Sequence, residues 1–144
     1  MTLQDVKKYY KSSLNRISGA GYDDRQKKAL AIYDVIKRST HRKPYIRSKI
    51  FSGDKIFLDN FWPHFYQKRR PDRDRRIVFY AAALDLLSHS TLKPITKAGR
   101  VRGEKYHKLF GITANRYKFV VQVRENPRGG KYLMSIFPEN VKNR

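Results

Sequence analysis

Histidine side chains are the first candidates for chemistry in this sequence. The chain has four of them, at positions 41, 64, 89 and 107. The imidazole group transfers protons readily because its unperturbed pKa, about 6.5, lies close to neutral pH. His64 lies in the segment FWPH, next to Trp62 in the most distinctive stretch of the chain, and is the preferred proton-transfer residue. A lone histidine is also common as a structural or surface residue, so this role requires companions.

Polar side chains interrupt one face of a predicted β-hairpin near the end of the chain. Neighbouring side chains of a strand point to opposite faces, so Lys118 and Gln122 share one face of the strand and Phe119 lies on the other. Ser135 of the returning strand lies on the same face as Gln122 in only one of the possible registers. The turn sets this register, and the alternation of the strands does not determine it. An amide, a hydroxyl and cations together can hold a phosphate and stabilise charge that develops on it. An ordinary polar outer face of a sheet is the alternative.

The charge of the chain indicates a polyanionic partner. Lys and Arg number 33 against 12 Asp and Glu, which gives a formal net charge of +21 over 144 residues. Such an excess repels itself in the compact state and exceeds what solubility requires. RNA or DNA is therefore the predicted partner, and an acidic protein is the alternative. We expect no membrane association, because no apolar run approaches the ~20 residues of a span.

The basic residues fall in clusters that are interleaved with aromatic side chains. Lys and Arg follow phosphates while rings stack on unpaired bases, so the mixture favours single-stranded nucleic acid. For any single tyrosine, burial in the core is the alternative. The predicted nucleic-acid contacts are Arg42, Lys43, Arg47, Lys49, Arg69, Arg70, Arg102, Lys105, His107 and Arg116.

The histidines and acids show no spacing typical of metal ligands, and the chain has no cysteine. We therefore predict no metal site and no cofactor. The lack of cysteine also fits a cytoplasmic protein.

The elements that must position these residues change in character along the chain. Apolar residues at three- and four-residue steps predict helices in the first part, over 3–17, 23–36, 54–66 and 72–90. A short strand is predicted at 45–51. After Pro94 the pattern becomes alternating, which predicts strands and a closing hairpin over 117–137.

This order predicts an α+β fold in which N-terminal helices pack on a C-terminal, curved antiparallel sheet. We divide the chain into a helical N-terminal extension, residues 1–40, and a single compact domain, residues 41–144.

Four segments together resemble a known group of nucleases: KIFLDNFWPH, DRDRRIVFYAAALDLLSHSTLKP, YHKLFGITANRYKFVVQV and GGKYLMSIFP. Over roughly residues 49–138, the chain resembles phage- and mobile-element-borne domains of the barnase–EndoU–colicin–RelE-like superfamily. The resemblance implies one or two helices followed by a curved antiparallel sheet whose open face carries the site. It also implies a metal-independent ribonuclease of the toxin or effector type, located in residues 41–144.

A nuclease of this kind makes the RNA 2′-hydroxyl attack its own phosphate, which requires a base, an acid and cations around the phosphorane. A toxin would in addition need an acidic antitoxin or immunity protein. The alternative to a catalytic role for Arg76 is that of a solvated residue on a helix. For Lys118 the alternative is a contact that positions a phosphate. The alternative function is a non-catalytic nucleic-acid-binding accessory protein of a mobile element. The predicted catalytic residues are His64, Arg76, Lys118, Gln122 and Ser135.

Overall fold

The computed structural model describes residues 7–139, which form four helices and seven strands. The helices are α1 (Tyr22–Ser39), α2 (Phe61–Tyr66), α3 (Arg70–Ile77) and α4 (Tyr80–His89). The strands are β1 (Tyr9–Lys11), β2 (Tyr45–Ser48), β3 (Asp54–Phe57), β4 (Ile95–Ala98), β5 (Lys105–Ile112), β6 (Lys118–Glu125) and β7 (Lys131–Pro138). None of these helices is long and apolar enough to cross a membrane.

All seven strands join one sheet in the order β1-β5-β6-β7-β3-β2, with β4 also paired to β5. The long strands β5, β6 and β7 form an antiparallel meander, whereas β1 runs parallel to β5 and β3 runs parallel to β7. The predicted α+β class is confirmed. The sheet is nevertheless mixed rather than purely antiparallel, and it is not confined to the C-terminal part, since β1, β2 and β3 precede most of the helices.

The helix predicted over 3–17 is wrong for its described part, because residues 7–21 contain β1 and irregular connections. Pairing with β5 overrides the helical spacing there, with Tyr9 opposite Phe110. The Ser12 N–H extends the pairing by donating to the Ile112 carbonyl at 2.9 Å. Residues 1–6 lie outside the described part of the chain. The division at residue 40 stays a prediction.

Two other predicted helices are shorter than expected. The first part of 54–66 is β3, and the helix begins only at Phe61. Within 72–90 the chain divides into α3 and α4 around Val78 and Phe79. The apolar residues whose spacing predicted the helix over 72–90 are still buried, apart from the partly buried Ala81: they are Ile77, Tyr80, Leu84 and Leu87. The spacing therefore identified core residues more reliably than the element that carries them.

One face of the meander is buried beneath the helices. Phe119, Val121 and Val123 of β6 are fully buried there, and the Phe79 ring stacks on Phe119 with 5.3 Å between centroids. The opposite side of β5, β6 and β7, which carries Lys108 and the other even-numbered residues of β5 and β6, is here named the open face. The alternation of β6 thus sets Lys118, Gln122 and Arg124, together with Val120, on the open face and the core residues on the other.

Gly111 of β5 lies where the core leaves no room for a side chain. A Cβ at this position would overlap the Phe119 ring and lie 2.8 Å from Leu86 Cδ1, and both neighbours are fully buried. We expect Gly111→Ala to lower the free energy of unfolding by about 1–3 kcal/mol, because overpacking a dense core forces strain. Urea denaturation measures the change.

Gly21→Ala is the matched control, because nothing lies within 4 Å of a Cβ there and the backbone is extended. Its effect should stay at or below about 1 kcal/mol. Equal denaturation midpoints for the two variants would contradict the packing argument.

Candidate functional site

A narrow crevice at the outer edge of β7 brings together three of the five predicted catalytic residues. β3 pairs with β7 only at Lys131 and Tyr132, so α2 and α3 pack against the remainder of that edge. His64 from α2, Arg76 from α3 and Ser135 from β7 all line the crevice. The remaining lining residues are Phe61, Phe65, Lys68, Met134 and Ile136.

A β-bulge decides which side of the sheet Ser135 occupies. On β6, Val123 pairs with Leu133 and the preceding residue, Gln122, pairs with Ser135. Met134 lies between Leu133 and Ser135 and has no partner on β6. Without the bulge, Ser135 would pair with Val121 and turn to the core. On the open face its hydroxyl instead donates to Gln122 Oε1 at 3.3 Å. The crevice is thereby connected to the polar residues of β6.

His64 is held partly buried by its helix. Pro63 is tolerated because it lies in the first turn of α2, where its missing N–H breaks no helical hydrogen bond. Burial lowers the pKa of His64, and the positive charges of Lys68 and Arg76 lower it further. The imidazole is therefore neutral at physiological pH, which is the protonation state that a general base requires.

Arg76 is fixed along the edge of β7 by contacts with two elements. Its Nε lies 3.1 Å from Asp72 Oδ2, and its Nη1 donates to the Ile136 carbonyl at 3.4 Å. The guanidinium also lies 5.4 Å from the centroid of the Phe137 ring. Burial tends to raise the pKa of Asp72, but hydrogen bonds from Arg75 and Arg76 outweigh it and hold the pKa below its usual value. Asp72 therefore stays ionised and holds Arg76 in a defined position.

A cleft of about 640 Å³ adjoins the crevice on the open face, and Arg76 lines both. Phe110 and Val120 are buried and form its apolar floor. Lys118, one of the predicted catalytic residues, lies on this cleft with its ammonium 4.7 Å from the Tyr9 ring. We name it the cationic cleft after the five basic side chains that line it: Lys7, Arg75, Arg76, Lys108 and Lys118.

Glu139 is the one acidic residue among the described residues that line this cleft. Lys7 donates to its Oε2 at 2.6 Å, and the Tyr9 hydroxyl donates to its Oε1. Burial tends to raise the pKa of Glu139, but these hydrogen bonds and the charges of Lys7 and Lys118 hold it below its usual value. Burial and the bond to Glu139 raise the pKa of Tyr9 to about 12. Glu139 therefore stays ionised and offsets part of the positive charge.

Five charged or phenolic residues of this cleft were not among the predicted site residues: Lys7, Tyr9, Arg75, Lys108 and Glu139. Lys7, Tyr9 and Glu139 meet because β1 adds to the far edge of β5, a pairing that no local pattern indicated. Lys108 could have been found, because it lies two residues after Tyr106 and therefore on the same face of the strand. In the structure it pairs directly with Gln122.

The exposed cations predicted to bind nucleic acid are spread over the molecule rather than collected in one site. They lie around β2, at the start of α3, in the turn before β5 and at the first residue of β5, and in the turn before β6. Among the described residues, none of them lines the cationic cleft or the crevice. The exposed residues are Arg42, Lys43, Arg47, Lys49, Arg69, Arg70, Arg102, Lys105 and Arg116.

His107 is separated from these cations because the odd-numbered residues of β5 face the core. Its exposed fraction is 6%. Its Nδ1 lies 2.8 Å from Thr96 Oγ1 and its Nε2 lies 2.8 Å from Glu125 Oε1. With both ring nitrogens engaged inside the protein, His107 is positioned as a structural residue and not as a surface contact.

Within residues 7–139, no group of three or more His, Asp and Glu side chains is arranged to hold a metal ion. Comparisons of the chain with protein-family models, with curated proteins and with solved structures found no significant match. The chemistry of the site therefore rests on its own residues.

Proposed function

We propose that this protein is a metal-independent ribonuclease that cleaves single-stranded RNA by attack of a 2′-hydroxyl on the adjacent phosphate. The observation that carries the proposal is the crevice in which His64, with its lowered pKa, meets Arg76 and Ser135 beside a cationic cleft. The resemblance to the barnase–EndoU–colicin–RelE-like superfamily, and a cytoplasmic location, belong to the same proposal.

Each side chain has a role in this reaction. His64 accepts the proton of the 2′-hydroxyl as the O2′–P bond forms. The P–O5′ bond then breaks, leaving a 2′,3′-cyclic phosphate, and Lys118 supplies the proton to the departing O5′. Arg76 and Lys108 stabilise the negative charge on the phosphorane oxygens.

Gln122 assists through its amide group. Because its Oε1 accepts the hydrogen bond of Ser135, its NH₂ group is available to donate to a phosphate oxygen. Ser135 thus acts by orienting Gln122, and it lies at the boundary between the crevice and the open face.

Cleavage of end-labelled RNA by the purified protein at low salt, with EDTA present, tests this function. We expect products that end in a 2′,3′-cyclic phosphate, and no cleavage of an RNA that carries 2′-O-methyl groups. Ser135→Ala should slow cleavage by about 5-fold, because a lost hydrogen bond of this kind is worth roughly 1 kcal/mol. Loss of activity in EDTA, or equal cleavage of DNA, would contradict the mechanism.

A non-catalytic nucleic-acid-binding accessory protein is the second candidate, favoured by a row of aromatic side chains on the sheet. Tyr45 and Phe57 are paired across β2 and β3, and Phe57 and Tyr132 across β3 and β7. Their ring centroids are 6.1 Å and 5.7 Å apart, and the Lys55 ammonium lies 4.5 Å from the Tyr45 ring. Tight, salt-sensitive RNA binding without any cleavage would favour this candidate.

An acidic antitoxin or immunity protein is the further partner that a toxic ribonuclease would need. The net charge of +21 and the cationic cleft give such a protein a surface to neutralise.

A further inference from the structure

A second concavity continues from the cationic cleft around the beginning of β6. Its volume is about 1000 Å³, and Arg75, Lys118, Pro138 and Glu139 line both it and the cationic cleft. The two concavities therefore adjoin each other at these residues. We name the second concavity the flanking groove.

The flanking groove carries a guanidinium stacked on an exposed aromatic ring. The Arg16 guanidinium carbon lies 3.5 Å from the centroid of the Tyr117 ring, and 43% of Tyr117 is exposed. Arginine planes and aromatic rings are the groups on which unpaired bases stack. This pair therefore offers a stacking surface at one end of a path that leads to the proposed catalytic residues.

The turn between β5 and β6 holds Tyr117 in place. The Tyr117 N–H donates to Thr113 Oγ1 at 2.9 Å, and the Arg116 N–H donates to the Thr113 carbonyl at 2.9 Å. The Ala114 N–H donates to the Leu14 carbonyl at 2.9 Å, which ties this turn to the segment that carries Arg16. A surface that is already ordered loses less conformational freedom when a ligand binds.

The charge of the groove suits a phosphodiester chain. Arg25 is neutralised by Asp74, whose Oδ1 lies 2.7 Å from its Nη2. Arg16 and Arg116 form no ion pair with any described residue. Lys118, at the junction with the cationic cleft, is exposed as well. Glu139 is the second acidic side chain of the groove, so five basic side chains face two acidic ones and an excess of positive charge remains.

We propose that the flanking groove binds the nucleotides next to the cleavage site of a single-stranded RNA, with an unpaired base stacked on the Arg16–Tyr117 pair. The inference rests on the proposed function in that the cationic cleft must bind the scissile region of the same strand. It identifies the substrate class as RNA long enough to occupy both concavities and free of base pairing in the groove. A duplex would not present its base faces to the pair.

Binding of RNA that the enzyme does not cleave tests this inference. Fluorescence anisotropy would measure the affinity of 2′-O-methyl oligoadenylates of about 3 and about 10 nucleotides. We expect Tyr117→Ala and Arg16→Gln each to weaken binding of the longer oligonucleotide by about 10-fold, with little effect on the shorter one. Tyr117→Phe, which keeps the ring, should bind like the wild type.

Arg38→Gln is the control for charge, because Arg38 is exposed in the last turn of α1 and does not line the groove. It should cost less affinity than Arg16→Gln, and a thermal melt of each variant would confirm that it folds. Wild-type affinity of Tyr117→Ala for the longer oligonucleotide, or an equal loss for both lengths, would overturn the inference. A length-dependent loss in a protein that cleaves no RNA would uphold the groove and reject the ribonuclease.

Discussion

His64→Ala should reduce kcat/KM for RNA cleavage by about 10²–10⁴-fold, which is the usual contribution of a general base. The variant loses the only imidazole that shares a crevice with Arg76 and Ser135 among the described residues. His64 is partly exposed, whereas its neighbours Phe61 and Phe65 are buried, so we expect His64→Ala to remain folded. Initial rates on a fluorogenic RNA would measure the change.

The pH profile separates a base from a structural histidine. A general base must be unprotonated, so wild-type kcat/KM should rise with pH through the pKa of His64, which burial and nearby cations place below its ordinary value. The midpoint of the rise should therefore lie below the ordinary pKa of imidazole, and the rise should be absent from the residual activity of His64→Ala. His89→Ala is the matched control, because His89 is exposed at the end of α4, hydrogen-bonds to Asp85 and does not line the crevice. An equal loss in both variants would exclude a specific role for His64.

Arg76→Gln should reduce kcat/KM by about 10²–10³-fold, the cost of removing one preorganised group that stabilises transition-state charge. Arg76 lines both the crevice and the cationic cleft, so it is the cation best placed to contact the phosphate that His64 serves. Single-turnover rates at saturating protein would show whether the loss lies in the chemical step.

Arg76→Lys and Arg38→Gln divide the effect into its parts. Lysine keeps the charge but lacks the fork that reaches both Asp72 and the Ile136 carbonyl, so it should restore only part of the rate. Arg38→Gln removes one exposed charge far from the crevice and should leave the rate nearly unchanged. If the rate loss of Arg76→Gln instead followed a lower melting temperature, its role would be to anchor α3 on β7.

The closing hairpin was predictable because its signals are local. Alternation over 118–125 and the NPRGG turn needed no knowledge of the remaining chain, and Asn126 completes the turn by accepting N–H groups of Arg128 and Gly130. The position of β1 was not predictable in this way, because its partner lies about a hundred residues further along the chain. Three-residue strands carry too few side chains to outweigh a competing helical spacing.

The candidate site shows the same division. His64, Arg76 and Ser135 were chosen from residue type and local pattern, and the structure brings them to one crevice. The local pattern did not contain the register that places Ser135 beside Gln122. It also did not show which face of β5 is buried, and therefore that His107 points into the protein. Both depend on how strands meet, and a shift of one residue reverses either of them.

Because of the bulge at Met134, the orientation of Ser135 depends on the number of residues that precede it in β7. Every side chain from Ser135 to Pro138 owes its face to the presence of one unpaired residue, whatever that residue is. A chain shortened by one position at this point would keep its composition and almost all of its hydrophobic residues, yet it would exchange the inner and outer sides of the strand end. Insertions and deletions in β7 therefore bear on this surface more heavily than substitutions do.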